Sequence, residues 1–132
     1  MIDEKILAKS SCSRIGLKNL ARHLNSDKLE QIVAMKEKED SLAAQNLERR
    51  LAKEAKSIVF IFDEKTASIY NITDAIECSQ RYHDKVIVCI LLETFSFHML
   101  RPLDTIVKVI EANGGNVFTS TEKTAEFINS QY

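Results

Sequence analysis

Ser57-Ile58-Val59-Phe60-Ile61-Phe62, followed at once by Asp63-Glu64, is the stretch that decides the fold. Every apolar side chain in it is β-branched or aromatic, and none alternates with a polar one. Such a run is what a strand covered on both faces looks like, because alternation arises only where one face meets water. Lys85-Val86-Ile87-Val88-Cys89-Ile90-Leu91-Leu92 repeats the pattern, and Asn116-Val117-Phe118-Thr119 is a shorter third run. Between the runs the apolar spacing turns helical: first Ile72, Ala75, Ile76 and Ser79, then Leu103, Ile106, Val107 and Ile110. Pro102 suits the first turn of the second of these helices, and Asn113-Gly114-Gly115 suits its C-terminal cap. Thr119-Ser120-Thr121-Glu122 has capping-box form and opens a last helix through Ala125, Phe127 and Ile128. Strand and helix in strict alternation predict a parallel sheet with right-handed crossovers.

Toward the N-terminus the pattern is helical throughout. Ile15, Leu17, Leu20, Ala21 and Leu24 share one helical face, and Asn25-Ser26-Asp27 is a natural stop and restart, with Asp27 and Glu30 in capping positions. Leu29, Ile32 and Val33 form one apolar patch, and Ala44, Leu47, Leu51 and Ala55 form another. The intervening Lys36-Glu37-Lys38-Glu39-Asp40 has no apolar residue on any face. Either the helix breaks near 37–41, or one helix over 28–56 crosses open solvent. The sequence therefore predicts a small three-layer α/β fold, Rossmann-like or flavodoxin-like. It would have a short parallel sheet of about three strands over 57–132 and an added helical region over 1–56, in one domain overall. A sheet that small leaves two open edges, which proteins usually pair or cover.

Composition narrows the functional classes. The 132 residues, 45% hydrophobic and 28% charged, suit one ordered domain. Three Gly and one Pro exclude a turn-rich sandwich and favour long regular elements. A net charge of −1 removes the electrostatic case for nucleic acid. The charge is uneven: residues 1–56 hold twelve Lys/Arg against nine Asp/Glu (+3), and residues 57–132 hold six against ten (−4). No apolar run approaches the ~20 residues that span a bilayer, and Met1-Ile2-Asp3-Glu4 opens no secretory pattern. Cys12, Cys78 and Cys89, odd in number and widely spaced, fit reduced thiols of a cytoplasmic protein.

Ligands of open parallel sheets bind beyond the carboxyl ends of the strands. The candidate ligand-binding residues there are Asp63, Thr66 and Ser68 after the first run, and Glu93, Ser96 and His98 after the second. No glycine-rich phosphate loop follows any strand. Asp74 and Glu77 lie three residues apart near the start of the next helix, as a nucleophile or base in an apolar crevice or as acids that complement the helix dipole. His23, His83 and His98 are far apart, no cluster has metal-ligand spacing, and no cofactor is expected. Cys78 and Cys89 lie on apolar elements as core thiols, and Cys12 has Arg14 nearby.

Leu47 through Phe62, then Asn71-Ile72-Thr73-Asp74-Ala75-Ile76-Glu77, Lys85–Leu91 and Gly114-Gly115-Asn116-Val117-Phe118 carry a resemblance. Over about 45–130 the chain resembles the later part of a nucleoside 2-deoxyribosyltransferase-like domain, and more distantly a TIR domain. The resemblance implies a glutamate on the helix after the first of these strands that attacks or stabilises the anomeric carbon of a ribosyl group; Asp74 and Glu77 stand closest to it. Two departures stand beside it. Residues 1–25 offer no counterpart of the families' first strand and glycine-bearing loop, and the turn before the acid, Ser68-Ile69-Tyr70-Asn71, has no glycine. The expected function is a non-catalytic interaction or structural module of degenerate deoxyribosyltransferase-like fold, in a homo-oligomer or with a protein partner. The alternative is an enzyme that cleaves or transfers the N-glycosidic bond of a nucleoside or NAD-like substrate through Asp74 or Glu77.

Overall fold

A computed structural model describes residues 5–9, 11–34 and 42–131. The order is β1 (Ile6–Ala8), α1 (Arg14–His23), α2 (Ser26–Gln31), β2 (Ile32–Ala34), α3 (Leu42–Glu54), β3 (Ser57–Phe62), α4 (Ile69–Tyr82), β4 (Val86–Ile90), α5 (Leu100–Ala112), β5 (Asn116–Phe118) and α6 (Thr121–Gln131). All strand pairs are parallel, and the sheet runs β2-β1-β3-β4-β5. This is a three-layer α/β fold of Rossmann-like type, as the strand–helix alternation predicts.

The sheet has five strands, not three, and the N-terminal half is not purely helical. The first correction is β1, which pairs on both sides, Leu7 with Val33 and with Ile58. Three residues buried on every side leave no periodicity to read. The second is Ile32 and Val33, which join Ala34 in strand β2 rather than continuing the helix of Leu29. β-branched residues favour that exit, since they lose χ1 freedom in a helix and pack well on a pleat. The charged run at 36–40 lies outside the described residues, but one continuous helix over 28–56 is excluded, because β2 separates α2 from α3.

β3 shows why uninterrupted apolar runs were needed. Ile58, Phe60 and Phe62 point into one core layer with Ala52, Ala75, Val88, Leu103 and Ile110, under α3, α4 and α5. Val59 and Ile61 point into the other, with Leu20, Cys89, Ala125 and Ile128, under α1 and α6. Fully burying each such aliphatic or aromatic side chain is worth roughly 1.5–3 kcal/mol, so the two middle strands carry most of the core. α1 can lie close because of Gly16: a Cβ there would sit 2.6 Å from Ile61 Cγ2. α5 ends as its Asn-Gly-Gly predicts, with Gly114 at φ +99° and its N–H donating to Glu111 O at 3.0 Å. α6 starts where expected, but its cap is Ser120, whose Oγ accepts from Lys123 N at 3.1 Å, one residue later than the Thr119–Glu122 box the sequence suggests.

The chain leaves β1 toward β2 and leaves β3 toward β4, so the connections diverge at the carboxyl ends of β1 and β3. Sheets of this order open their ligand crevice at such a switch point. The described residues beside it are Lys9, Ser11–Ser13 and Asp63–Ser68.

Candidate functional site

The gap directly between β1 and β3 is closed by the chain itself. Lys9 N donates to Val59 O at 3.1 Å, Ser13 N donates to Ile61 O at 2.7 Å, and the Cys12 thiol donates to Val59 O at 3.3 Å. Ser13 also caps α1, its Oγ accepting from Gly16 N at 3.1 Å. The open space lies to one side, in a groove of ≈ 240 Å³ between α3 and α4. Gln45, Glu48, Arg49 and Ala52 of α3 form one wall. Tyr70, Asn71, Asp74, Glu77, Cys78 and Arg81 of α4 form the other, with Lys9 and Ser11 at the end of β1.

Lys9 is the centre of this groove. Only 7% of it is exposed, and its ammonium pairs with the Glu48 carboxylate and lies 3.3 Å from Asp74 Oδ2. Its Nζ also stands 5.7 Å from the centroid of the Phe60 ring. Burial works against the charge, but Asp74 and Glu48 outweigh it and hold the ammonium above its ordinary pKa. Two carboxylates against one ammonium leave this cluster at net −1. Ser11 Oγ, at the same end of the groove, is buried without a hydrogen-bond partner among the described residues. Buried hydroxyls rarely stay unsatisfied, so this one is an acceptor and donor held in reserve.

The structure separates the two acids that spacing alone leaves equivalent. Asp74 faces Lys9 with 30% of its side chain exposed, whereas Glu77 is 59% exposed and bonds Arg81 Nη2 at 3.0 Å on its own helix. Asp74 is thus on the floor of the groove and Glu77 on its rim. The thiol of Cys78, one turn after Asp74, donates to Asp74 Oδ1 at 3.7 Å, and burial pushes its pKa up to about 12. Burial does the same to Cys12, also to about 12, and raises Cys89. All three thiols are buried and free of disulfides; Arg14 does not make Cys12 acidic.

The other predicted residues do not line the groove; they close turns, cap a helix, tie two loops together or stand exposed. Asp63 Oδ1 accepts from Thr66 N at 2.9 Å and from Thr66 Oγ1 at 3.0 Å. Burial opposes its charge, but these bonds and one from Ser13 keep its carboxyl below the usual range. Ser68 is the N-cap of α4, accepting from Asn71 N at 3.1 Å. Ser96 donates its Oγ and its N–H to Glu64 Oε1 at 2.7 and 2.8 Å, which tethers the loop after β4 to the loop after β3. Those two bonds, with a smaller contribution from the nearby His98, hold the Glu64 carboxyl below its ordinary pKa. Glu93 and His98 are exposed in short 3₁₀ turns.

The residues that sequence reasoning missed are Lys9, Ser11 and Glu48. Lys9 follows a strand too short to be recognised, and Glu48 reaches the groove from a helix whose place on the sheet depends on that strand. The signal was an acid one turn before Ala52 on the inner face of α3, together with a lysine directly after three apolar residues.

Among the described residues, no group of three or more His, Cys, Asp or Glu could hold a metal ion, and no helix is long and apolar enough to cross a membrane. The chain matches no protein-family model, no curated protein and no solved structure.

Proposed function

We propose that the groove between α3 and α4 binds the sugar of a nucleoside and that Asp74 is the carboxylate directed at its anomeric carbon, for cleavage or transfer of the N-glycosidic bond. The observation that carries this reading is the buried Glu48–Lys9–Asp74 cluster beside the switch point of the sheet. Three features support it. The strand whose absence argued against catalysis is β1, and Lys9 follows it directly. Glycosidic cleavage passes through an oxocarbenium-like, positively charged transition state, which a cluster of net −1 stabilises. The groove is lined mainly by groups that hydrogen-bond hydroxyls, including the unpartnered Ser11 Oγ, as a sugar requires. Lys9 keeps Asp74 oriented, and Glu48 supplies a second carboxylate on the same ammonium, able to receive or return a proton through water.

Incubation with deoxynucleosides, ribonucleosides and NAD, read by chromatography for free base, tests the proposal. Base release that falls on the order of 10²-fold or more in Asp74→Asn, and survives Glu77→Ala, is the expected result. No release from any of them, or release indifferent to Asp74→Asn, would overturn it.

A second reading, an interaction module that self-associates, is favoured by the sheet edges. β2 and β5 each pair on one side only among the described residues. Size-exclusion chromatography with light scattering tests it, and a strict monomer at high concentration would count against it.

A further inference from the structure

We infer that Tyr70 is the platform on which the base of the bound nucleoside stacks; this rests on the nucleoside reading above and adds to it the residue that holds the base. Tyr70 lies in the first turn of α4 and lines the groove, yet 78% of it is exposed. Its hydroxyl makes no hydrogen bond and its ring no ring contact among the described residues. A large aromatic side chain in that state adds little to the core, so its place at the mouth of a polar groove calls for another explanation. The other tyrosine of the groove, Tyr82, is already engaged, with Lys85 Nζ 5.2 Å from its ring centroid.

The spacing fits a nucleoside in particular. Tyr70 precedes Asp74 by four residues, so the two share one helix face with Cβ atoms about 5–6 Å apart. A base is bonded directly to the anomeric carbon, so a sugar that presents this carbon to Asp74 carries its base over the preceding turn, where Tyr70 stands. Volume points the same way. At ≈ 240 Å³ the groove is smaller than the roughly 300–1,000 Å³ of sites that enclose a drug-sized ligand. It holds a sugar and leaves the base outside, on the exposed ring. Stacking is tolerant of base identity because every base has a π-face, and it strengthens with overlap. The site therefore takes purine and pyrimidine nucleosides alike, with purines held more tightly, and it does not read base edges.

The test is calorimetric titration of 2′-deoxyadenosine, 2′-deoxycytidine and base-free 2-deoxyribose into the Asp74→Asn protein, which removes turnover, with and without a change at Tyr70. Tyr70→Ala is expected to weaken deoxyadenosine binding about 10-fold or more, to weaken deoxycytidine less, and to leave deoxyribose unmoved. Tyr70→Phe restores the affinity, because the ring and not the hydroxyl does the stacking. Equal nucleoside affinity with and without the ring would overturn the inference while leaving the nucleoside reading in place. An equal loss for deoxyribose would also overturn it, by assigning Tyr70 a merely structural part. Failure of every nucleoside to bind the protein with Asp74 intact would overturn both. Sedimentation of each variant adds one more outcome: a dimer lost with Tyr70→Ala would make the ring a contact between copies and would refute the base platform.

Discussion

Replacing Lys9 by methionine keeps the length and apolar stem of the side chain and removes only its charge. Glu48 and Asp74 are then left facing each other across a half-buried groove with nothing between them. Removing one partner of a fully buried ion pair costs about 3–5 kcal/mol. Here the side chains of Glu48 and Asp74 retain 23% and 30% exposure, so water screens part of that cost. A loss of about 2–3 kcal/mol at pH 7 is the resulting expectation. With a urea m-value of about 1.5 kcal/mol per molar, the unfolding midpoint falls by about 1.3–2 M. The pH dependence has a definite sign. In the parent chain the folded-state pKa of Lys9 is raised, so its contribution is complete below the unfolded-state lysine value and is lost only as the pH climbs through the folded one. Nothing from Lys9 changes between pH 5 and 8. In Lys9→Met the two carboxylates repel in a partly dry site. Urea melts of both proteins at pH 7, taken as a difference, isolate the effect, and adding Glu48→Gln and Asp74→Asn recovers most of the loss. A loss under about 1 kcal/mol at pH 7, or one that Glu48→Gln and Asp74→Asn do not recover, would refute the account of Lys9 as the charge that holds the groove together.

Three further outcomes are expected. Gly16→Ala gains up to ~1 kcal/mol of helix propensity but drives a methyl group to 2.6 Å from Ile61 Cγ2 and 3.2 Å from Leu91 Cδ1, so thermal melting shows a net loss of about 1–3 kcal/mol. The thiols of Cys12 and Cys78, pushed up to about 12 by burial, stay unreactive toward a disulfide reagent at pH 8 and react only once denaturant is added. The carboxyl of Glu64 is held low by Ser96, so the loop tether it supplies is present above the unfolded glutamate value and is lost as the pH falls through the folded one. The Ser96 amide proton, followed by NMR, reports that titration with a midpoint below the ordinary glutamate pKa, and in Glu64→Gln the titration is gone.

The C-terminal half of the fold was legible because β3 and β4 are long enough to show an unbroken apolar run, and α5 and α6 carry glycine, proline and serine where caps need them. β1 and β2 were not legible. Each has three residues, less than two full periods of a strand, and β1 is buried in the middle of the sheet, where alternation vanishes. Half of the site was hidden for the same reason. Asp74 and Glu77 could be placed on a helix from spacing alone, whereas Lys9 gained a meaning only once Ile6–Ala8 was a strand beside β3. The polar residues after β3 and β4 sit at the carboxyl edge as expected, but serines, threonines and acids there also close turns. Asp63, Glu64, Thr66 and Ser96 are bonded to one another across those turns.

β1 is threaded inside the sheet, flanked by β2 on one side and β3 on the other. During synthesis Ile6–Ala8 leaves the ribosome well before Ser57–Phe62 and cannot complete its pairing until that strand has followed it. Until then Ile6, Leu7 and Ala8 leave apolar side chains open to water on the β3 side, the sort of segment that chaperones hold. Vectorial folding of this protein therefore has to wait for β3, and a nascent chain halted before it would depend on such help to stay soluble.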